Sequence, residues 1–282
     1  MKRLITICAV VVLVLLTNSF AYADFIYVPC DSTIEKFDSS GNRSVFASGF
    51  EFPMGLAFDS IGNLYVDDFS RGTIEKFDPS GNRFIFGSVE FPMGLAFDSV
   101  GNLYVVDNGH GTIDKFDPSG NKSIFTSNED IVFALAFDKS DNLYVANVDR
   151  GTIDKFDPRG NMSVALNINA LGLAFDSIGN LYVSNFDSGT IDKFDPSGKG
   201  SVFASGFGCP TGLAFDSIGN LYVADEGYDP GTGMIYKFDP SGNRSVFASG
   251  LNYPMYIAVQ PVPEPATILL LGLGAVMLKR KR

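Results

Sequence analysis

A Leu-Tyr-Val or Ile-Tyr-Val triplet recurs along this chain and constrains it more than any other feature. Its tyrosine falls at Tyr27, Tyr65, Tyr104, Tyr144, Tyr182 and Tyr222, in steps of 38, 39, 40, 38 and 40 residues. A fixed period near forty marks a repeat architecture, in which each unit buries its apolar faces against its neighbours. The fullest unit, 212–249, reads "GLAFDSIGNLYVADEGYDPGTGMIYKFDPSGNRSVFAS". It divides into four short strands, "GLAFD", "LYVAD", "MIYKFD" and "RSVFAS". Phe, Tyr, Val, Ile and Leu fill these strands, and Gly, Asn, Asp and Pro punctuate them. Gly62, Gly101, Gly179 and Gly219 stand where a tight turn needs a positive φ, and Asp141 takes that place in the fourth unit. No helical period appears between 24 and 260. Four strands per unit, stacked radially, predict an all-β fold, a six-bladed β-propeller.

The two ends of the repeat array fit together. The first unit opens at "DFIYVPCDSTIEKFD" and lacks a "GLAFD" strand. After Ser249 the chain continues "GLNYPMYIAVQ", which begins a unit and stops. The expectation is that 256–260 supplies the missing strand of the first blade and closes the ring, removing an exposed sheet edge.

Three segments follow: 1–23, 24–260 and 261–282. The first has Lys2 and Arg3, an apolar run from Leu4 to Leu16, and Ala21-Tyr22-Ala23 before Asp24. That is the pattern of a secretory signal peptide. Acids outnumber bases, 32 to 21. Six of the bases sit at the two ends, so the propeller itself is strongly acidic. This argues against nucleic acid or an anionic membrane as a partner. Cys30 and Cys209 fall on the same face of neighbouring units of a chain bound for an oxidising compartment, so the sequence allows a disulfide between them.

The tail "VPEPATILLLGLGAVMLKRKR" joins Pro263-Glu264-Pro265 to an apolar stretch, Ala266–Leu278, and a basic end. Thirteen residues rise only about 20 Å as a helix, short of the ~30 Å hydrocarbon core, which fits a marginal or transient membrane anchor. The order of motif, apolar stretch and basic end closely resembles the PEP-CTERM sorting signal of Gram-negative bacteria. The resemblance implies an exported protein whose Pro263, Glu264 and Pro265 are recognised by a membrane transpeptidase, an exosortase. It places the mature chain in the periplasm, on the outer surface or in the extracellular matrix. The repeats, through "GLAFDSIGNLYVAD" and "GTIEKFDPSGN", resemble NHL repeats, a scaffold that hosts binding modules and enzymes alike.

The turns "DSIGN" and "DPSGN" repeat almost unchanged, and their Asp and Asn residues read as structural. Function is expected on the opposite face, where the units differ. The loops there carry Asp67, Asp68, Arg71, Asp107, His110, Asp149, Arg150, Asp187, Asp225, Glu226, Tyr228 and Asp229. The channel mouth is expected to be ringed by Met54, Met93, Phe133, Leu171, Thr211 and Met255. An apolar mouth with an acidic rim suits an adaptable binding surface for an envelope protein or an exopolysaccharide. The chain has no Trp, the residue with the largest face for stacking on sugars. Catalytic residues and resident cofactors are not expected, although the rim leaves room for a loosely held divalent cation. The alternative is a metal-dependent propeller enzyme, resembling lactonases or streptogramin lyases. Such enzymes set polar side chains or histidines at the channel mouth, and this chain has one histidine.

Overall fold

The computed structural model describes residues 24–127 and 131–260. The expected leader, 1–23, and the tail with Pro263, Glu264 and Pro265 lie outside the described residues. The described chain forms six four-stranded antiparallel sheets, each built from consecutive strands except the first. Inner strands such as Pro53–Phe58 and Pro92–Phe97 touch those of the next blade in sequence order, which makes the assembly a six-bladed ring. We number the blades by their second strands, from Ile26–Cys30 in blade 1 to Leu221–Asp225 in blade 6.

The second strands are buried on both faces, as their apolar sequence requires. Their tyrosines join the blades. Tyr65 packs edge-on against Phe86 of its own blade and Phe97 of the next, with both centroids 5.0 Å away. Tyr27, Tyr104 and Tyr182 repeat this bridge. Such pairs add roughly 0.5–1.5 kcal/mol each beyond the area they bury.

Every inner strand runs from the variable loop face to the turn face. The turn glycines adopt positive φ as expected (Gly62 86°, Gly219 88°), and Asp141 follows at 57°. Each turn aspartate satisfies its own turn. Asp59 Oδ1 accepts the Ile61 and Asn63 amides, and its Oδ2 accepts Asn63 Nδ2.

The closing strand is present. Ala258–Val259 pairs with blade 1, with Ala258 opposite Tyr27 and Val259 opposite Ile26. The Gln260 amide donates to Phe25 O at 2.9 Å, and Tyr27 Oη donates to Gln260 Oε1. A second clasp spans the same seam, where Asp24 Oδ2 accepts the amide and hydroxyl of Ser217 in blade 6.

Candidate functional site

Equivalent inner-strand positions crowd together around the axis. Gly55, Gly94, Ala134, Gly172 and Gly212 occupy one such position in blades 2 to 6. A methyl group on Gly94 would sit 2.7 Å from Phe133 O, and one on Gly212 would sit 2.6 Å from Tyr256 Cα. The register of the closing strand puts Tyr256 at the sixth such position, since Ala258 pairs as Ala57 does. Tyr256 therefore points its ring into the space that five small residues leave. Its hydroxyl donates to Phe133 O of blade 4, across the ring. Met54, Met93, Phe133 and Met255, expected at the channel mouth, pack with Tyr256 in one apolar cluster. Thr211 is buried and donates to Pro254 O.

Asp67 belongs to this axis and not to the exposed rim where the sequence put it. It is fully buried. Its Oδ1 accepts the amides of Met54 (3.2 Å) and Gly55 (2.8 Å), and its Oδ2 accepts that of Gly94 in the next blade (3.1 Å). Burial pushes this carboxyl up to about 8, against the pull of the three amides, with Asp68 adding to the rise.

In blades 2 to 6 the last residue of the second strand caps the loop face. Asp68 accepts the amides of Glu51 and Phe52, and Asp225 accepts those of Gly208 and Cys209. Asn147 and Asn185 cap the loop that follows them instead, accepting the amides of Arg150 and Ser188 three residues on. Three aspartates expected to face a ligand, Asp68, Asp107 and Asp225, are thus engaged by the protein's own loops. Arg71 pairs with Glu51 and Asp68. His110 is exposed and sits between Asp107 and Glu90, with Nδ1 3.0 Å from Asp107 and Nε2 3.4 Å from Glu90. The hydrogen bond and charge of Asp107 raise its titration point. Burial would push Asp107 itself up, but the hydrogen bonds from His110 and Glu90 bring it below the ordinary carboxylate value.

The disulfide allowed by the sequence is not formed: Cys30 and Cys209 are free, buried thiols. Each is held within its own surroundings. Cys30 packs among Ile26, Val28 and Leu251, whereas Cys209 donates to Glu226 Oε2 at 3.4 Å. Burial raises both to about 12, helped at Cys209 by Glu226, so neither supplies the thiolate that exchange requires.

Tyr228 projects from blade 6, 79% exposed, with its hydroxyl donating to Gly208 O. Asp149, Arg150 and Asp187 converge. With Asn167, Asn169 and Asn185 they line an open cleft of roughly 600 Å³ between blades 4 and 5. The sequence reading missed these asparagines, although their signal was there: the fourth unit carries "LNINA" where other units carry apolar residues and Pro. Asn169 donates to Asp187 at 3.3 Å, while Asn169 Oδ1 and the Nδ2 of Asn147 lack a hydrogen-bond partner. Among the described residues no three His, Cys, Asp or Glu side chains gather where they could hold a metal ion.

Residues 261–282 match the family model of the PEP-CTERM protein-sorting motif. The chain carries an exosortase-type sorting signal. Such a signal implies export, a membrane-anchoring tail and recognition by an exosortase. No curated protein matches the chain in sequence. Solved structures share its fold at low identity. A streptogramin B lyase has a TM-score of 0.63 at 12% identity, over 84% of this chain and 91% of its own. A protein of unknown function from Bacteroides caccae has a TM-score of 0.66 at 15% identity, covering 85% and 100%. A candidate gluconolactonase has a TM-score of 0.62 at 14% identity, covering 81% and 88%. At such identities the likeness concerns the fold, and the kinship of the units to NHL repeats remains a resemblance of sequence.

Proposed function

We propose that this is an exported, non-catalytic propeller that binds an extracellular polysaccharide through the cleft between blades 4 and 5. The observation that carries the reading is the division of polar groups between axis and rim. The channel mouth is filled by Met54, Met93, Met255 and Tyr256, and Asp67 is engaged by three backbone amides. The polar groups of the cleft gather at an open surface instead: the amides of Asn167 and Asn169, the carboxylates of Asp149 and Asp187, and the Arg150 guanidinium, which also pairs with Asp154. Such a set matches the alternating donors and acceptors of sugar hydroxyls, and it works without the stacking face that Trp would give. A cation held loosely by Asp149 and Asp187 is compatible with this binding mode.

The test is binding of envelope and matrix polysaccharides to the wild type and to an Arg150→Ala/Asn169→Ala variant. The expected loss is about ten-fold or more in affinity, the size of one or two charge-assisted hydrogen bonds. Unchanged affinity in the variant, or no polysaccharide bound by the wild type, would remove the reading. The lyase and lactonase neighbours favour a second reading, a propeller enzyme. Turnover of a lactone or a cyclic depsipeptide that disappears in His110→Ala would put it first.

A further inference from the structure

The turn face carries an apolar set that the turns do not require. Ile61, Val100, Ile178 and Ile218 are 76, 74, 76 and 73% exposed. Each occupies the third position of a turn between the first and second strands. The turn asks only for the backbone amide there, which donates to the preceding aspartate (Asp59, Asp98, Asp176 and Asp216). Any residue can give that bond. Ser140 gives it in blade 4. In the turns between third and fourth strands, Ser80, Ser119, Arg159, Ser197 and Ser241 give it too. Two sets of turns on the same face thus share one hydrogen-bond scheme, yet one set exposes branched aliphatics and the other polar residues. Backbone geometry does not account for the aliphatics, and burial within the ring does not either.

The place where the chain leaves the ring supplies the missing partner. Val259 pairs with Ile26 as Phe58 pairs with Leu64, so Gln260 stands where other units begin this same turn. The sorting tail starts at the next residue. Only five residues, 261–265, separate the turn face from the apolar stretch beginning at Ala266. Even fully extended they reach about 17 Å. A tail seated in a bilayer therefore holds this face, and not the loop face, within a headgroup layer's depth of the hydrocarbon.

We infer that the turn face is a membrane-docking surface: with the tail inserted, Ile61, Val100, Ile178 and Ile218 enter the lipid interface and orient the loop face away from the bilayer. The charges select the lipid. Turn aspartates make this face anionic, only partly offset by Lys115, Lys155 and Lys193 beside Asp98, Asp138 and Asp176. Neutral, zwitterionic headgroups are the surface it fits, and anionic lipid weakens the contact.

The chain contains no Trp, so a single introduced Trp reports its own surroundings. Full-length Ile61→Trp, Ile178→Trp and Ile218→Trp variants, with Tyr228→Trp as the loop-face control, would be reconstituted into phosphatidylcholine vesicles with and without brominated acyl chains. Co-flotation shows that the tail has inserted. The expected result is blue-shifted emission, quenched by bromine, for the three turn-face variants and unquenched emission for Tyr228→Trp. Adding phosphatidylglycerol should reduce the quenching. Equal, unquenched emission at both faces in floating protein overturns the proposal, as does failure to float. A blue shift without bromine quenching overturns it in favour of a protein partner on this face.

Discussion

The two faces of the ring employ the same side chain in opposite ways. On the turn face eleven aspartates each close the turn in which they stand, the carbonyl of each accepting the backbone amide three residues on, of Gly in ten turns and of Asp141 in the other. On the loop face Asp68 and Asp225 reach 16 or 17 residues back, and Asp67 reaches 27 residues forward into the next blade. Local bonds close each blade end, and among the described residues only side-chain links such as Ser99–Asp141 and Ser217–Asp24 cross between neighbours there. Long-range bonds couple the blades near the axis. The ring should tolerate damage on one face and transmit it on the other.

Removing the axis closure should break that contrast most severely. Truncation after Tyr253 deletes the strand pairs to blade 1 together with buried Ile257 and Ala258 and the Tyr256 plug. The expected loss is about 5 kcal/mol, from two large apolar side chains and their backbone bonds. For a domain of this size that is a fall of roughly 10–20 °C in Tm, read by calorimetry. A fall of only a few degrees would show that the covalently continuous seams suffice.

Asp67→Asn comes next. The amide group would face the Gly94 N–H with a donor, at a cost of about 2–3 kcal/mol. The variant also sharpens a pH test. Because burial raises the folded carboxyl from 3.8 to about 8, its contribution is whole below about pH 4 and is lost as pH climbs to about 8. Urea midpoints at pH 5 and 8.5 should fall in the wild type, and that part of the fall should vanish in the variant.

Asp216→Ala tests the local face. It removes the acceptor of Ile218, Asn220 and Tyr222, and should cost about 1–2 kcal/mol with hydrogen-exchange protection lost only in blade 6. Protection lost in distant blades would contradict the division between faces. The smallest effect belongs to His110→Gln. His110 titrates above its ordinary 6.5 because of Asp107 and Glu90. Its stabilising charge is whole below pH 6.5 and disappears as pH rises through the raised value. The wild type should show a slight decline in Tm over that interval, absent in the variant.

The repeats made the blades, the turn glycines and the closing strand legible, because period, turn chemistry and the mismatched ends all follow from local sequence. The site was less so. Met54, Met93, Phe133 and Met255 were expected at the mouth and cluster around Tyr256, yet Tyr256 was passed over as one more strand residue. Its meaning appears only when it is aligned with Gly55 and Gly212, where its size is the anomaly. Asp67 was misplaced because Asp-Asp at a strand end reads as loop, whereas alternation along the strand turns one carboxyl inward and the other toward its own loop. The thiols shared a face, but sharing a face fixed neither their distance nor their partners.

The closing strand also sets a clock. Tyr27 and Gln260 bond across 233 residues of sequence, so the last blade assembles by the longest-range pairing in the described chain, a slow class of event. A protein exported from its N-terminus delivers this strand last, immediately before the apolar tail that halts in the membrane. The ring therefore shuts only as the chain reaches its anchor. Until then blade 1 presents an unpaired edge and the axis stays open, so the interval between emergence of blade 6 and arrival of residue 260 is when aggregation is most dangerous.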